Sequence, residues 1–273
     1  MALWPFGKNK NDPTKGGEAT NTPEIGNIDA QDVASAPEVE LAADVEDALN
    51  GQGLPADPEH DAIDGSMGPY DGRSVKFEDF DFSDFGTGVL NLGSIVLPLP
   101  HHSEVQVEMG PNGPKMLHVL TEYGRVTPVA FAAPASKGQW REATKDIAQS
   151  MRNDGLDVEI QYGPWGREIV GSMASGGGIV RIIGVDGPRW MLRMTVASPK
   201  EKAEEMTRLA RELTARTFVY RDDSPILAGN SLPVALPEPL AKQVQQEMIR
   251  RQKAAQESAQ GQPQHATEPK QEQ

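Results

Sequence analysis

Hydrophobic and polar positions alternate strictly over Glu104–Met109 and again over Leu156–Tyr162, the period-two signature of half-buried strands. Val89–Leu99 is an apolar run ended by Pro98 and Pro100, and Met116–Leu120 returns after a turn at Gly110–Pro114. Val126–Ala133 reads as a further strand, in which Pro128 predicts an edge position or a bulge. Arg167–Met173, Ile179–Val185, Trp190–Val196 and Phe218–Tyr220 complete the strand-like set. Between Val185 and Trp190 a loop longer than two residues is expected, because a tight turn would want a backbone N–H where Pro188 stands.

Two stretches follow a helical period. Trp140, Ala143, Ile147 and Met151 fall on one face of a helix over about residues 138–153, stopped by Gly155. Met206, Leu209, Ala210 and Leu213 form the stripe of a second helix, for which Ser198, Pro199 and Glu201 predict a capped start. Strands, helix, four strands, helix, strand is an α+β order in which hairpins dominate. It predicts a mostly antiparallel sheet of six to eight strands with two packed helices, and a PsbP-like layered arrangement is one fold with this order. The domain is expected over residues 74–237. Residues 1–73 form an acidic N-terminal segment expected to be disordered, with Pro37–Leu49 as a transient helix. Residues 238–273 form a Gln/Ala-rich tail, partly helical through Leu240, Val244 and Met248 or disordered.

Gly163-Pro-Trp-Gly-Arg-Glu168 and Gly184-Val-Asp-Gly-Pro-Arg-Trp-Met-Leu-Arg193 resemble the signature stretches of an uncharacterised actinobacterial family known only as a domain of unknown function, and Pro128–Trp140 is similar too. The resemblance covers roughly residues 85–237. It implies a bacterial cytoplasmic protein and brings no catalytic or binding residues with it.

Charge changes the picture at the N-terminus. The net charge is −14, and residues 1–70 hold 14 acids against 3 bases, whereas residues 89–237 hold 16 of each. A balanced domain with an acidic leader speaks against duplex nucleic acid as a partner, since phosphate binding needs clustered Lys and Arg. The absence of cysteine removes disulfides, thiol nucleophiles and cysteine metal sites. No stretch reads as a secretory signal or a membrane span, so a cytoplasmic location is the expectation. Leu3, Trp4 and Phe6 beside Lys8, Lys10 and Lys15 are the one feature suited to a membrane surface.

Catalytic signals are thin. The domain's histidines are His101, His102 and His118, with no Gly-x-Ser-x-Gly elbow. Adjacent His101 and His102 point apart in an extended chain and suit a metal poorly. Ser175–Gly178 lacks the residues of a P-loop and leads into a strand. No catalytic residue, cofactor or metal site is assigned. Two features suit interaction. Arg167, Arg181, Arg189 and Arg193 are candidates for a cationic patch that binds an acidic partner or this chain's own acidic segment, or for internal ion pairs with Glu159 or Glu168. Phe77, Phe80, Phe82 and Phe85, set among acids, form either a docking segment or a clip folded onto the domain. The reading is a non-enzymatic protein-interaction or adaptor module with an unknown protein partner. The alternatives are a small-molecule-binding domain or enzyme, with a pocket between sheet and helices near Trp140, Trp165 and Trp190, and a peripheral membrane adaptor acting through residues 1–10. Oligomeric state is not legible.

Overall fold

The computed structural model describes residues 57–260, apart from 87, 111–112 and 174–175. Its element order is β1 (Tyr70–Asp71), β2 (Gly88–Asn91), β3 (Ile95–Leu99), β4 (Glu104–Gly110), β5 (Gly113–Thr121), β6 (Gly124–Ala132), α1 (Gln139–Asn153), β7 (Leu156–Gly163), β8 (Gly166–Met173), β9 (Ile179–Gly187), β10 (Trp190–Ser198), α2 (Ala203–Ala215), β11 (Phe218–Val219) and α3 (Glu238–Gln260). The fold is α+β. A seven-stranded antiparallel sheet runs β4-β5-β6-β10-β9-β8-β7, and a four-stranded sheet runs β1-β11-β3-β2.

Alternation along β10 divides the two cores. Trp190, Leu192, Met194 and Val196 are buried at 2% exposure or less and meet α2 through Met206, Ala210 and Leu213, and the small sheet through Leu90, Leu92, Ile95 and Leu97. On the opposite face Met191 joins Phe131, Ile169 and Ile182 under the Trp140, Ile147, Ala148 and Met151 stripe of α1. Both faces of the large sheet are therefore packed, but unequally. α1 lies across β7, β8 and β9. Beyond it, Met116, Leu120, Arg125, Val129, Arg193 and Thr195 are only partly buried. This uncovered half of the face is where the candidate site lies.

Four local expectations change. The Val89–Leu99 run is a hairpin, with Leu90 opposite Leu97 and a reversal through Gly93 at φ +78°. β9 and β10 join through two residues, Pro188 and Arg189, because Gly187 pairs directly with Trp190. Pro188 sits at the first turn position, where its fixed φ fits and no N–H is required, and Arg189 takes the left-handed conformation at φ 61°. The predicted cap at Ser198 does not form: Ser198 pairs with Ile179 as the last residue of β10, and a 3-10 turn at Lys200–Lys202 leads into α2. Pro128 lies in an interior strand, opposite Met194. Its missing N–H costs nothing there, because the β5–β6 ladder stops at Val126. Ala130 and Ala132, of the same parity, turn their backbone groups outward to Leu232, Asn230 and Gly229, so the Pro128 nitrogen also faces away from β10.

Residues 57–73, assigned above to the N-terminal segment, pack on the domain. Tyr70 and Asp71 pair in parallel with Phe218 and Val219, and Ala62 is buried in the larger core. The expected helix at Pro37–Leu49 and the residue 1–10 segment lie outside the described residues.

Candidate functional site

Arg193 occupies the centre of β10, directly opposite Gly184 on β9 and Val129 on β6. Strand alternation sends its side chain to the α1 side of the sheet. There its guanidinium carbon lies 4.8 Å from the centroid of the Phe131 ring. That contact is a cation–π interaction, which offsets part of the cost of removing the charge from water. Its Nε is buried without a hydrogen-bond partner, and among the described residues no carboxylate pairs with it. Burial depresses the guanidinium's pKa, with no neighbouring charge acting against that shift. Arginine nevertheless stays cationic in proteins, so Arg193 is a charge held without its counter-charge.

α1 forms one wall of this site, and its position is set by three groups. A Cβ at Gly184 would fall 2.0 Å from the Trp140 ring, so glycine lets the indole lie against the sheet. The Trp140 indole N–H donates to the Arg167 carbonyl at 2.8 Å. Asp186 accepts the backbone N–H groups of Gly138 and Trp140 at 3.0 Å each and so caps the helix start. Burial raises the pKa of Asp186, against the opposing effect of those two bonds.

The other wall is a polar network. His118 Nδ1 lies 2.7 Å from the Thr127 hydroxyl, and His118 Nε2 lies 3.2 Å from Glu108 Oε2. Thr127 in turn pairs across the sheet with Thr195. Burial lowers the pKa of His118, with Glu108 pulling the other way. Hydroxyl, imidazole and carboxylate in sequence mimic a nucleophile, base and orienting group. Thr127, however, is only 6% exposed and has no room to meet a substrate. The network positions strands. The sequence reading placed His118 in a strand without these partners, since only the register of β4, β5 and β6 brings Glu108, His118 and Thr127 together.

The four candidate arginines do not form one patch. Arg167 and Arg193 share the α1 face and flank Trp140. Arg167 precedes the Glu168–Ile183 pair and so stands two strands from Arg193, about 10 Å at ordinary strand spacing. Its Nη1 meets Asp57 Oδ2 at 3.1 Å, while its backbone N–H and the Tyr162 hydroxyl both donate to Asp57 Oδ1 at 3.2 Å. Arg181 points to the opposite face, where it meets Glu168 Oε2 at 2.6 Å. Glu168 is 1% exposed and also takes two bonds from Arg211 of α2, at 2.9 Å each. Arg189 stands exposed at the β9–β10 turn and shares Asp223 with Arg73.

The aromatic segment folds back on its own domain. Phe77, Phe80 and Phe82 surround Phe218 at centroid distances of 5.1, 5.4 and 6.2 Å. Phe85 is buried in the larger core with the Arg216 guanidinium 4.6 Å above its ring. Trp140, Trp165 and Trp190 are all buried, and the indoles of Trp165 and Trp190 bond to Gly68 O and Asp71 Oδ1. They are packing residues, not the lining of an open pocket. Among the described residues no group of three metal-ligating side chains converges, and no helix is long and apolar enough to cross a membrane.

No curated protein matches this chain. Solved structures that it resembles include one from Bacteroides thetaiotaomicron, 15% identical, covering 51% of this chain and 50% of that one, with a TM-score of 0.32. Another is the solution structure of cyanobacterial PsbP from Synechocystis, 7% identical, covering 50% of this chain and 95% of that one, also at 0.32. A third is LpqN of Mycobacterium tuberculosis, whose description places it in cell envelope biogenesis; it is 13% identical, covering 46% of this chain and 83% of that one, at 0.27. The chain thus spans half the length of the first of these, and all three likenesses are too distant to say what it does. Residues 68–243, more than half of the chain, match the family described as a protein of unknown function, DUF3710, and the protein belongs to that family.

Proposed function

We propose that this protein is a non-enzymatic interaction module that captures a carboxylate-bearing protein segment on the uncovered half of its large sheet, at Arg193. The observation that carries this reading is the Arg193 guanidinium, held against Phe131 with a buried Nε and no anion beside it. A buried cation without a partner is costly, and a side chain kept in that state is poised to gain from an arriving anion. Met116, Leu120 and Val129, partly exposed around it, offer apolar contact to the same segment. A bidentate carboxylate contact would supply geometry as well as charge.

The test is a titration of the full chain with pentaglutamate, following the Arg193 Nε–Hε resonance in arginine-labelled protein. A saturable shift that weakens with added salt, and that is lost for peptide-induced changes at Val129 and Thr195 in Arg193→Gln, is the expected result. An Arg193 resonance indifferent to pentaglutamate in both the native chain and a chain with its own acidic segment neutralised would overturn the reading.

A further inference from the structure

Resting on that reading, we infer that the resident occupant of the Arg193 surface is this chain's own acidic segment, residues 38–49, which competes with any external partner. Three observations point to it. The first is where the described chain begins. Asp57 is bound at Arg167 and Tyr162, on the same face of the sheet as Arg193 and two strands away from it. The preceding residues therefore enter the domain beside the uncovered half. Eight residues separate Leu49 from Asp57, a reach of up to about 27 Å when extended, well beyond the roughly 10 Å between the two arginine positions.

The second observation is charge. Residues 38–49 read Glu-Val-Glu-Leu-Ala-Ala-Asp-Val-Glu-Asp-Ala-Leu, with five carboxylates and no basic residue. No other cation is needed for recognition, because Arg193 has no competing carboxylate among the described residues. The third is the match of apolar groups. Val39, Leu41, Val45 and Leu49 intersperse the acids, and the receiving surface intersperses Met116, Leu120 and Val129 with Arg193. A segment of acids alone would leave those side chains wet.

Tethering makes weak contact sufficient. A short flexible connection gives an effective concentration on the order of millimolar, so a segment with a ~0.1 mM intrinsic affinity would hold the site about nine times in ten. An external acidic segment must displace it.

The experiment uses the full chain, whose lack of cysteine lets a single Ala43→Cys substitution carry a spin label without background. The expected result is broadening of the Val129, Arg193 and Thr195 amides, unchanged on dilution with unlabelled protein. It should be abolished when Glu38, Glu40, Asp44, Glu46 and Asp47 are replaced by Gln or Asn. The neutralised chain should also bind pentaglutamate about tenfold more tightly than the native chain. If spin-labelled protein broadens the same amides of a separately isotope-labelled copy, the occupant comes from a second copy and the intramolecular inference fails. If no broadening appears while pentaglutamate still shifts Arg193, the tethered occupant is refuted and the binding module stands. If pentaglutamate moves Arg193 in neither chain, both fall together.

Discussion

Asp57 binds Arg167 through both its oxygens: Oδ2 takes the guanidinium at 3.1 Å and Oδ1 the backbone N–H at 3.2 Å. The pair joins the start of the described chain to the tip of the β7–β8 hairpin, with the two side chains 24% and 10% exposed. Gly166 makes the approach possible, since a Cβ there would meet Asp57 Oδ1 at 2.6 Å and its φ is +106°. Asp57→Ala should therefore free residues 57–61 from the hairpin and cost about 1–3 kcal/mol, the loss expected of hydrogen bonds to a charged group. Urea denaturation reads the cost, and faster hydrogen exchange at the Arg167 amide reads the release.

Glu168 is a different case, because it serves two arginines from full burial. Glu168→Ala strands Arg181 and Arg211 together and should destabilise the fold by about 3–5 kcal/mol. Arg211→Ala should cost less, since Arg211 is 30% exposed and Arg181 continues to pair with the carboxylate. Equal losses in chemical denaturation would contradict this ranking.

Arg193→Met separates binding from stability. Removing a cation that has no counter-charge should leave the protein as stable as before or more so, by up to about 1 kcal/mol, because methionine fills the space at no desolvation cost. Pentaglutamate binding should be lost in the same variant. A marked fall in stability would mean that the Phe131 contact is worth more than the charge costs.

His118 and His60 both have pKa values pushed below the ordinary histidine range, in each case first by burial. The unfolded chain thus takes up these protons before the folded one. Stability from this source is present above the ordinary histidine value near 6.5 and is lost as the pH falls below it. Thermal melts should show a downward slope from pH 7 to pH 5, and His118→Gln should flatten it. An unchanged slope would assign the pH dependence to other groups.

Gly184→Ala should displace α1, because its methyl would fall 2.0 Å from the Trp140 ring. Overpacking of this kind costs about 1–3 kcal/mol, and near-ultraviolet circular dichroism of the tryptophans reports it.

The α1 stripe at Trp140, Ile147 and Met151 and the alternation of β7 were legible in the chain because each is a local period that burial then reinforces. The Pro188 turn was misread for a local reason too. A two-residue hairpin demands no N–H at its first position, so proline permits the turn that it was taken to forbid. The candidate site was legible only as residue types. Four arginines were visible, but alternation and register send Arg181 to one face and Arg193 to the other, and a shift of one residue in β9 would have reversed that. Nothing local marks Asp57, 110 residues from Arg167, or Glu108 and Thr127, ten and nine residues either side of His118, as partners.

By itself, the sequence determined the α+β class, the two amphipathic helices and the uneven charge between leader and domain, all of which follow from short-range periodicity and composition. The tertiary structure alone decided which cations are paired. Pairing depends on strand order and on which helix covers which half of a sheet, and those are set by packing between residues far apart in the chain. That is why Arg181 is held by Glu168 while Arg193, twelve residues later, is left without an anion.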